Sequence, residues 1–212
     1  MNERFLEGKI AVVSGASRGL GRAIALALGR AGASLALVAR DEEKLVETKK
    51  MLTELSASSE IYLADISQES RVIELEREIK ERQGMVHILV NNAGTAIRKN
   101  ISEFVLSEWQ HVLDTNLTGA FLMSRSFIPH MRNNGWGRII NMTSIMANVG
   151  SAGRGAYCAS KSGLLALTKC LALELVASNI NVTAISPGFY STDLTAPLRA
   201  NEDANKEIMD AT

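Results

Sequence analysis

Six short apolar runs alternate along the chain with longer segments of helical period, and that alternation leaves few folds open. The runs fall at 9–14, 34–39, 60–65, 87–91, 137–143 and 180–186. Most are nearly unbroken in apolar character, the pattern of parallel strands covered on both faces. Helical period marks 19–31, 42–55, 68–83, 103–133 and 155–178 between them. In 42–55, Leu45, Met51, Leu52 and Leu55 stand among charges, as on a surface helix that buries one stripe. Asp41, Ser67 and Ser102 are placed to cap the helices that follow. Regular alternation of this kind requires parallel strands joined by right-handed crossovers. The expected fold is α/β, one doubly wound domain over 1–212 with a parallel sheet of at least six strands. Ligands of such sheets bind beyond the carboxyl ends of the strands.

Composition narrows the partners. Lys plus Arg equals Asp plus Glu at 23 each, so the basic excess of a nucleic-acid binder is missing. No apolar run is long enough to span a bilayer, and the opening MNERFLEGK carries no signal core. The expectation is a cytoplasmic protein with no nucleic-acid or membrane partner. Cys158 and Cys170 lack metal-ligand spacing and read as two small buried hydrophobes in a reducing compartment. His87, His111 and His130 are scattered, so no metal site is expected.

The first run leads directly into Gly15-Ala16-Ser17-Arg18-Gly19-Leu20-Gly21 and then a helix. Glycines there permit a tight turn, close approach of backbone to a pyrophosphate, and close packing of helix on strand. Amides at the helix start then meet the phosphate charge. A glycine cluster after a first strand and before a first helix is the context that gives it meaning. Its spacing is G-x-x-x-G-x-G, not the common G-x-G-x-x-G.

With that variant, the chain resembles the short-chain dehydrogenase/reductases over essentially its whole length. Further agreement comes from Asn91-Asn92-Ala93-Gly94, Asn116 in Asn-Leu-Thr-Gly, Ser144, Tyr157-Cys-Ala-Ser-Lys161 and Pro187-Gly188. The resemblance implies a Rossmann domain and hydride exchange between a nicotinamide cofactor and a small carbonyl or alcohol. Asn92, Ala93 and Gly94 are then expected beside the cofactor, with Asn91 steadying the strand end. Pro187 and Gly188 would pass the nicotinamide, with Thr192 bonding the carboxamide or diphosphate. Asp65 and Ile66 would face the adenine. The loop serine Ser14 stands where the family usually has threonine, which keeps the hydroxyl.

The end of the second run decides the cofactor. By family spacing the deciding position is Ala39, which is neutral, and Arg40 follows it, with Arg18 nearby in the glycine loop. Arginines favour a 2′-phosphate, whereas an acid would hold the ribose hydroxyl. Asp41 lies in the loose range for such an acid but also suits a helix cap. NADP(H) is favoured over NAD(H).

Hydride delivery to a carbonyl leaves an alkoxide that needs a proton. Tyrosine can give one, and a nearby cation is expected to lower its ordinary pKa near 10. Tyr157 and Lys161 stand four apart, on one helical face. By resemblance Lys161 also holds the nicotinamide ribose, Ser144 donates to the substrate oxygen, and Asn116 holds a water in a proton relay.

Substrate contacts are expected from 95–100, 145–154 and 189–199, where Arg98 and Arg154 can meet a carboxylate. The loop sequences NNAGTAIRK and TDLTAPLR are similar to the gluconate 5-dehydrogenase and 2-deoxygluconate dehydrogenase branch. SGASRGLG is equally similar to 3-oxoacyl-carrier-protein reductases. A non-catalytic cofactor-binding regulator stands as a reading of another class. The family generally continues past the position of Thr212 with a further helix and strand, which this chain is expected to lack. Helices 103–133 and 155–178 resemble the family's interface helices, implying a homo-oligomer, dimer or tetramer.

Overall fold

The computed structural model describes residues 4–188 and 190. Strands β1 (Ile10–Ser14), β2 (Ser34–Ala39), β3 (Ser59–Leu63), β4 (Ile88–Asn91), β5 (Gly137–Met142) and β6 (Ile180–Ile185) form one sheet. Its order is β3-β2-β1-β4-β5-β6, with every neighbouring pair parallel. The chain therefore builds outward from β1 in one direction and then returns to build in the other. The reversal falls between β1 and β4, the place where such sheets open a crevice for ligands.

Helices α1 (Gly19–Arg30), α2 (Glu42–Glu54), α3 (Glu69–Arg82), α4 (Leu106–Leu113), α5 (Gly119–Asn133) and α6 (Gly155–Leu175) cover both faces. Alternate strand residues divide between the two layers, as a side-chain period of two requires. Ala11, Val13, Leu35, Leu37, Ile88 and Val90 pack with Leu45 and Leu52 of α2. Val12, Ala36, Val38, Leu89 and Ile139 pack instead with Leu75 and Ile79 of α3 and Phe127 and Met131 of α5. Each such buried side chain stabilises the fold by about 1.5–3 kcal/mol. Among the described residues no helix is long and apolar enough to cross a membrane.

Four local expectations need correction. Cys170 is exposed and Cys158 half-buried, so the two are not both buried hydrophobes. The segment 103–133 is not one helix: Phe104 and Val105 are extended, and a π-turn at Asp114–Thr118 separates α4 from α5. Ser102 caps nothing there; the Glu108 side chain reaches back to accept from Val105 N–H (3.2 Å) at the start of α4. Ser67 is not the α3 cap either, because its N–H and hydroxyl are both committed to Asp65 Oδ1 (3.0 and 2.7 Å), leaving Gln68 at the cap. Asp41 does cap α2, accepting from Lys44 N–H at 3.1 Å.

Candidate active site

The reversal point is held by the chain's own polar groups. Ser14 Oγ accepts from the amides of Asn92 (3.0 Å) and Ala93 (3.1 Å) and donates to Val90 O (3.2 Å). The Asn92 side chain donates to the carbonyls of Ser14 (3.0 Å) and Gly15 (3.3 Å). One hydroxyl and one amide thus tie the end of β1 to the end of β4. Gly15 turns the chain at φ +67°, a left-handed conformation that favours glycine.

Beyond these ends opens a cavity of about 680 Å³. Its walls include Gly15, Ser17, Arg18, Gly19, Leu20 and Gly21 from the glycine loop and the start of α1. Arg40, Asp65 and Ile66 contribute from the ends of β2 and β3, and Asn92, Ala93 and Gly94 from β4. Ser144, Tyr157, Lys161, Pro187 and Gly188 complete the far end. Thr192 lies outside the described residues. Two residues of the set stand off the wall. Asn91 points into the core, where it donates to Asn141 Oδ1 (2.8 Å) and Ser124 Oγ (3.0 Å), so it braces the sheet away from the cavity. Asn116 stands one layer behind the wall, because the π-turn directs its amide at the Thr95 backbone (2.7 and 2.9 Å) and Ser160 Oγ (3.0 Å).

At the β2 end, Arg40 pairs with Asp65 at 3.4 Å and keeps a side chain 63% exposed to solvent. Burial opposes ionisation of Asp65, but the Ser67 hydrogen bonds and the Arg40 charge hold its carboxyl below the usual range. Asp41 is occupied by Lys44: its carboxylate accepts from the Lys44 backbone N–H and lies 2.9 Å from the Lys44 ammonium. Its hydrogen bonds with Lys44 hold Asp41 below the usual range.

At the β5 end, Lys161 Nζ donates to Met142 O at 2.7 Å and lies 5.8 Å from the centre of the Tyr157 ring. The Ser160 hydroxyl, fully buried, joins Asn116 to the Tyr157 carbonyl at 2.7 Å. Burial raises the Tyr157 pKa, while the Ser144 hydroxyl and the Arg154 charge work against it. The expectation that Lys161 sets the tyrosine pKa low is therefore not met. Both groups are withdrawn from water, and desolvation dominates each.

Lys161 is only 4% exposed, and among the described residues no carboxylate pairs with it. Burial brings its pKa down from 10.5 to about 8. Between those values the unfolded chain keeps a proton that the folded chain has lost, so stability rises with pH. The rise is about 3 kcal/mol for a shift of this size. Urea unfolding of wild type and Lys161→Met at pH 7 and pH 10 should show the difference widening in favour of wild type. Parallel pH curves would contradict this assignment.

Arg98 and Arg154 line the same end of the cavity. Their loops are joined by Lys99 N–H donating to Gly153 O at 3.0 Å. Lys99 itself is held outside by Glu108 at 2.7 Å, so Arg98 is the cation of that loop that reaches the wall. Burial, and to a smaller extent the Arg154 charge, lower the Arg98 pKa. Among the described residues no cluster of three His, Cys, Asp or Glu side chains could hold a metal ion.

Residues that the sequence did not single out support these groups: Arg22, Thr48, Thr143 and Ser160. Thr143 Oγ1 meets Ile185 O (2.9 Å) and Ser186 Oγ (2.7 Å), joining the Ser144 and Pro187 loops. Local spacing does not mark them, since the bonds that join Arg22 to Thr48, Thr48 to Ala16, Thr143 to Ile185 and Ser160 to Asn116 cross between elements far apart in the chain.

The short chain dehydrogenase family profile matches residues 9–203. A 3-oxoacyl-[acyl-carrier-protein] reductase of Pseudomonas aeruginosa is 39% identical over 196 residues, 91% of this chain and 78% of that protein. A 2-dehydro-3-deoxy-D-gluconate 5-dehydrogenase of Bacillus subtilis is 36% identical over 204 residues, covering 96% of this chain and 80% of that one. A gluconate 5-dehydrogenase from Burkholderia cenocepacia, solved with NADP and tartrate, superposes with a TM-score of 0.93 at 27% identity. That match covers 99% of this chain and 83% of the other.

Proposed function

The chain belongs to the short-chain dehydrogenase family, and from that premise we propose that it reduces the ketone of a sugar acid with NADPH. It is an oxidoreductase acting on alcohol or ketone substrates with a nicotinamide cofactor. That excludes the non-catalytic regulator as the leading reading. The observation that carries the substrate class is that Arg98 and Arg154 line the same cavity as Tyr157 and Ser144. Two guanidiniums suit a carboxylate, which they can bind with paired hydrogen bonds. The Burkholderia protein's bound tartrate, itself a hydroxy acid, is in keeping with this.

The cavity fits the cofactor. Gly15 and Gly21 leave no room for a side chain, so backbone forms the wall where a pyrophosphate would lie. Ser17, Arg18, Gly19 and Leu20 would hold the phosphates, and Asn92, Ala93, Gly94, Pro187 and Gly188 the nicotinamide half. Arg40 and Arg18 favour NADP(H), because they stand near the neutral Ala39 where an acid would repel a 2′-phosphate. Asp65 and Ile66 would flank the adenine. When bound, the nicotinamide supplies the hydride.

Tyr157 acts as the acid. A phenol with its ordinary pKa near 10 is protonated at neutral pH and can donate to the alkoxide as it forms. Ser144 donates to the same oxygen and stabilises its charge. Lys161 restores the proton, and Asn116, joined through Ser160 to the Tyr157 turn, orders the path behind it. Gly94 leaves that path open: a Cβ there would sit 3.3 Å from Asn116 Oδ1 and 3.5 Å from Lys161 Nζ.

A second reading, reduction of a 3-oxoacyl thioester, is favoured by the 39% identity to the Pseudomonas reductase. Purified protein should consume NADPH faster with 5-ketogluconate than with an acetoacetyl thioester, and faster with NADPH than with NADH. A higher kcat/KM for the thioester would reverse the substrate, and a preference for NADH would reverse the cofactor.

A further inference from the structure

We propose that Arg22 and Thr48 form a brace behind the glycine loop that aims its amides at the cofactor pyrophosphate. The inference rests on the cofactor reading above. Neither residue lines the cavity; both bond to carbonyls of the glycine loop. Arg22, one turn into α1, meets four acceptors drawn from the loop and from α2. Its Nη2 donates to Ser17 O (2.6 Å), Lys44 O (3.2 Å) and Glu47 Oε2 (2.8 Å), and its Nε to Thr48 Oγ1 (2.9 Å). Thr48 is fully buried. Its single hydroxyl proton is shared between Lys44 O (3.0 Å), one turn back in α2, and Ala16 O (3.1 Å) in the loop.

The carbonyls of Ala16 and Ser17 are thus both drawn toward α2. Every peptide bond described here is trans, so each N–H runs opposite to the carbonyl of its own peptide unit. Drawing back Ala16 O turns the Ser17 N–H the other way, and drawing back Ser17 O does the same for the Arg18 N–H. Ser17 and Arg18 themselves line the cavity, whereas Arg22 and Thr48 do not. Two amide dipoles fixed before the ligand arrives cost nothing to orient when an anion binds. A loop carbonyl left unbraced could rotate its peptide and present oxygen to the phosphate instead. Packing alone does not need these groups, since a valine would fill the buried space of Thr48.

Arg22 and Thr48 are positioning residues, and their test reads binding. NADPH affinity is measured by fluorescence titration for wild type, Arg22→Met, Thr48→Val and Thr48→Ser. Adenosine 2′-monophosphate, which lacks a pyrophosphate, is measured by competition in the same series. Arg22→Met and Thr48→Val should weaken NADPH about tenfold, as loss of a charge-assisted or buried hydrogen bond implies. Adenosine 2′-monophosphate should change less than about twofold, kcat at saturating NADPH should hold, and Thr48→Ser should restore affinity. NADPH affinity unchanged in both variants would overturn the brace. Equal losses for both ligands would overturn it as well, by reducing the pair to general support. If Arg22→Met fails to fold, Thr48→Val alone decides. Wild type that binds no NADPH would instead overturn the cofactor reading.

Discussion

Tyr157→Phe is expected to lose ketone reduction by about 10²–10⁴-fold, the range that a positioned general acid contributes. NADPH affinity should stay within about twofold, because one hydroxyl is removed and the ring that lines the cavity remains. The size of the effect follows from the surroundings. Tyr157 is buried enough for its pKa to rise, and Lys161 beside it is held by Met142 O. Ser144→Ala should do less damage, since it removes a donor to the oxygen but not the proton source. A Phe variant with wild-type kcat would sink the assignment of Tyr157.

Gly21→Ala is expected to abolish cofactor binding and to destabilise the fold. An added Cβ would lie 2.2 Å from Gly15 O, 2.8 Å from Gly15 C and 2.4 Å from Asn92 Nδ2. Two of those atoms are backbone, so no rotamer change relieves the overlap. The third is the amide that joins β4 to the end of β1. Relief requires the start of α1 to move away from the strand, which opens the loop that would hold the pyrophosphate. Overpacking of this kind costs about 1–3 kcal/mol, and a melting temperature lower by several degrees should accompany it. Gly150→Ala is the control, because nothing lies within 4 Å of the added atom. Gly21→Ala binding NADPH within twofold of wild type would refute this account of the loop.

Much of this was legible in the chain itself. The six strands and their parallel pairing follow from near-continuous apolar runs, because burial on both faces leaves a local trace. The glycine loop reads well for the same reason: Gly15, Gly19 and Gly21 answer to backbone geometry within seven residues. The break in 103–133 does not, since the Asp114–Thr118 turn is tied through Asn116 to the backbone of Thr95 and to Ser160, both distant in the chain. The sequence also makes Asn91 and Asn92 look alike. Only the direction of each side chain separates a core brace from a cavity wall. Ionisation is harder still: the spacing of Tyr157 and Lys161 predicts their proximity but not the burial that moves both pKa values.

The central claim is that this cavity transfers hydride from NADPH to a ketone carbon. Its most direct test uses NADPH deuterated at the transferred position, with 5-ketogluconate as substrate and mass spectrometry of the product. One deuterium at the new carbinol carbon, absent from the Tyr157→Phe reaction, is the predicted result. Bound cofactor with no label in the product would contradict the claim.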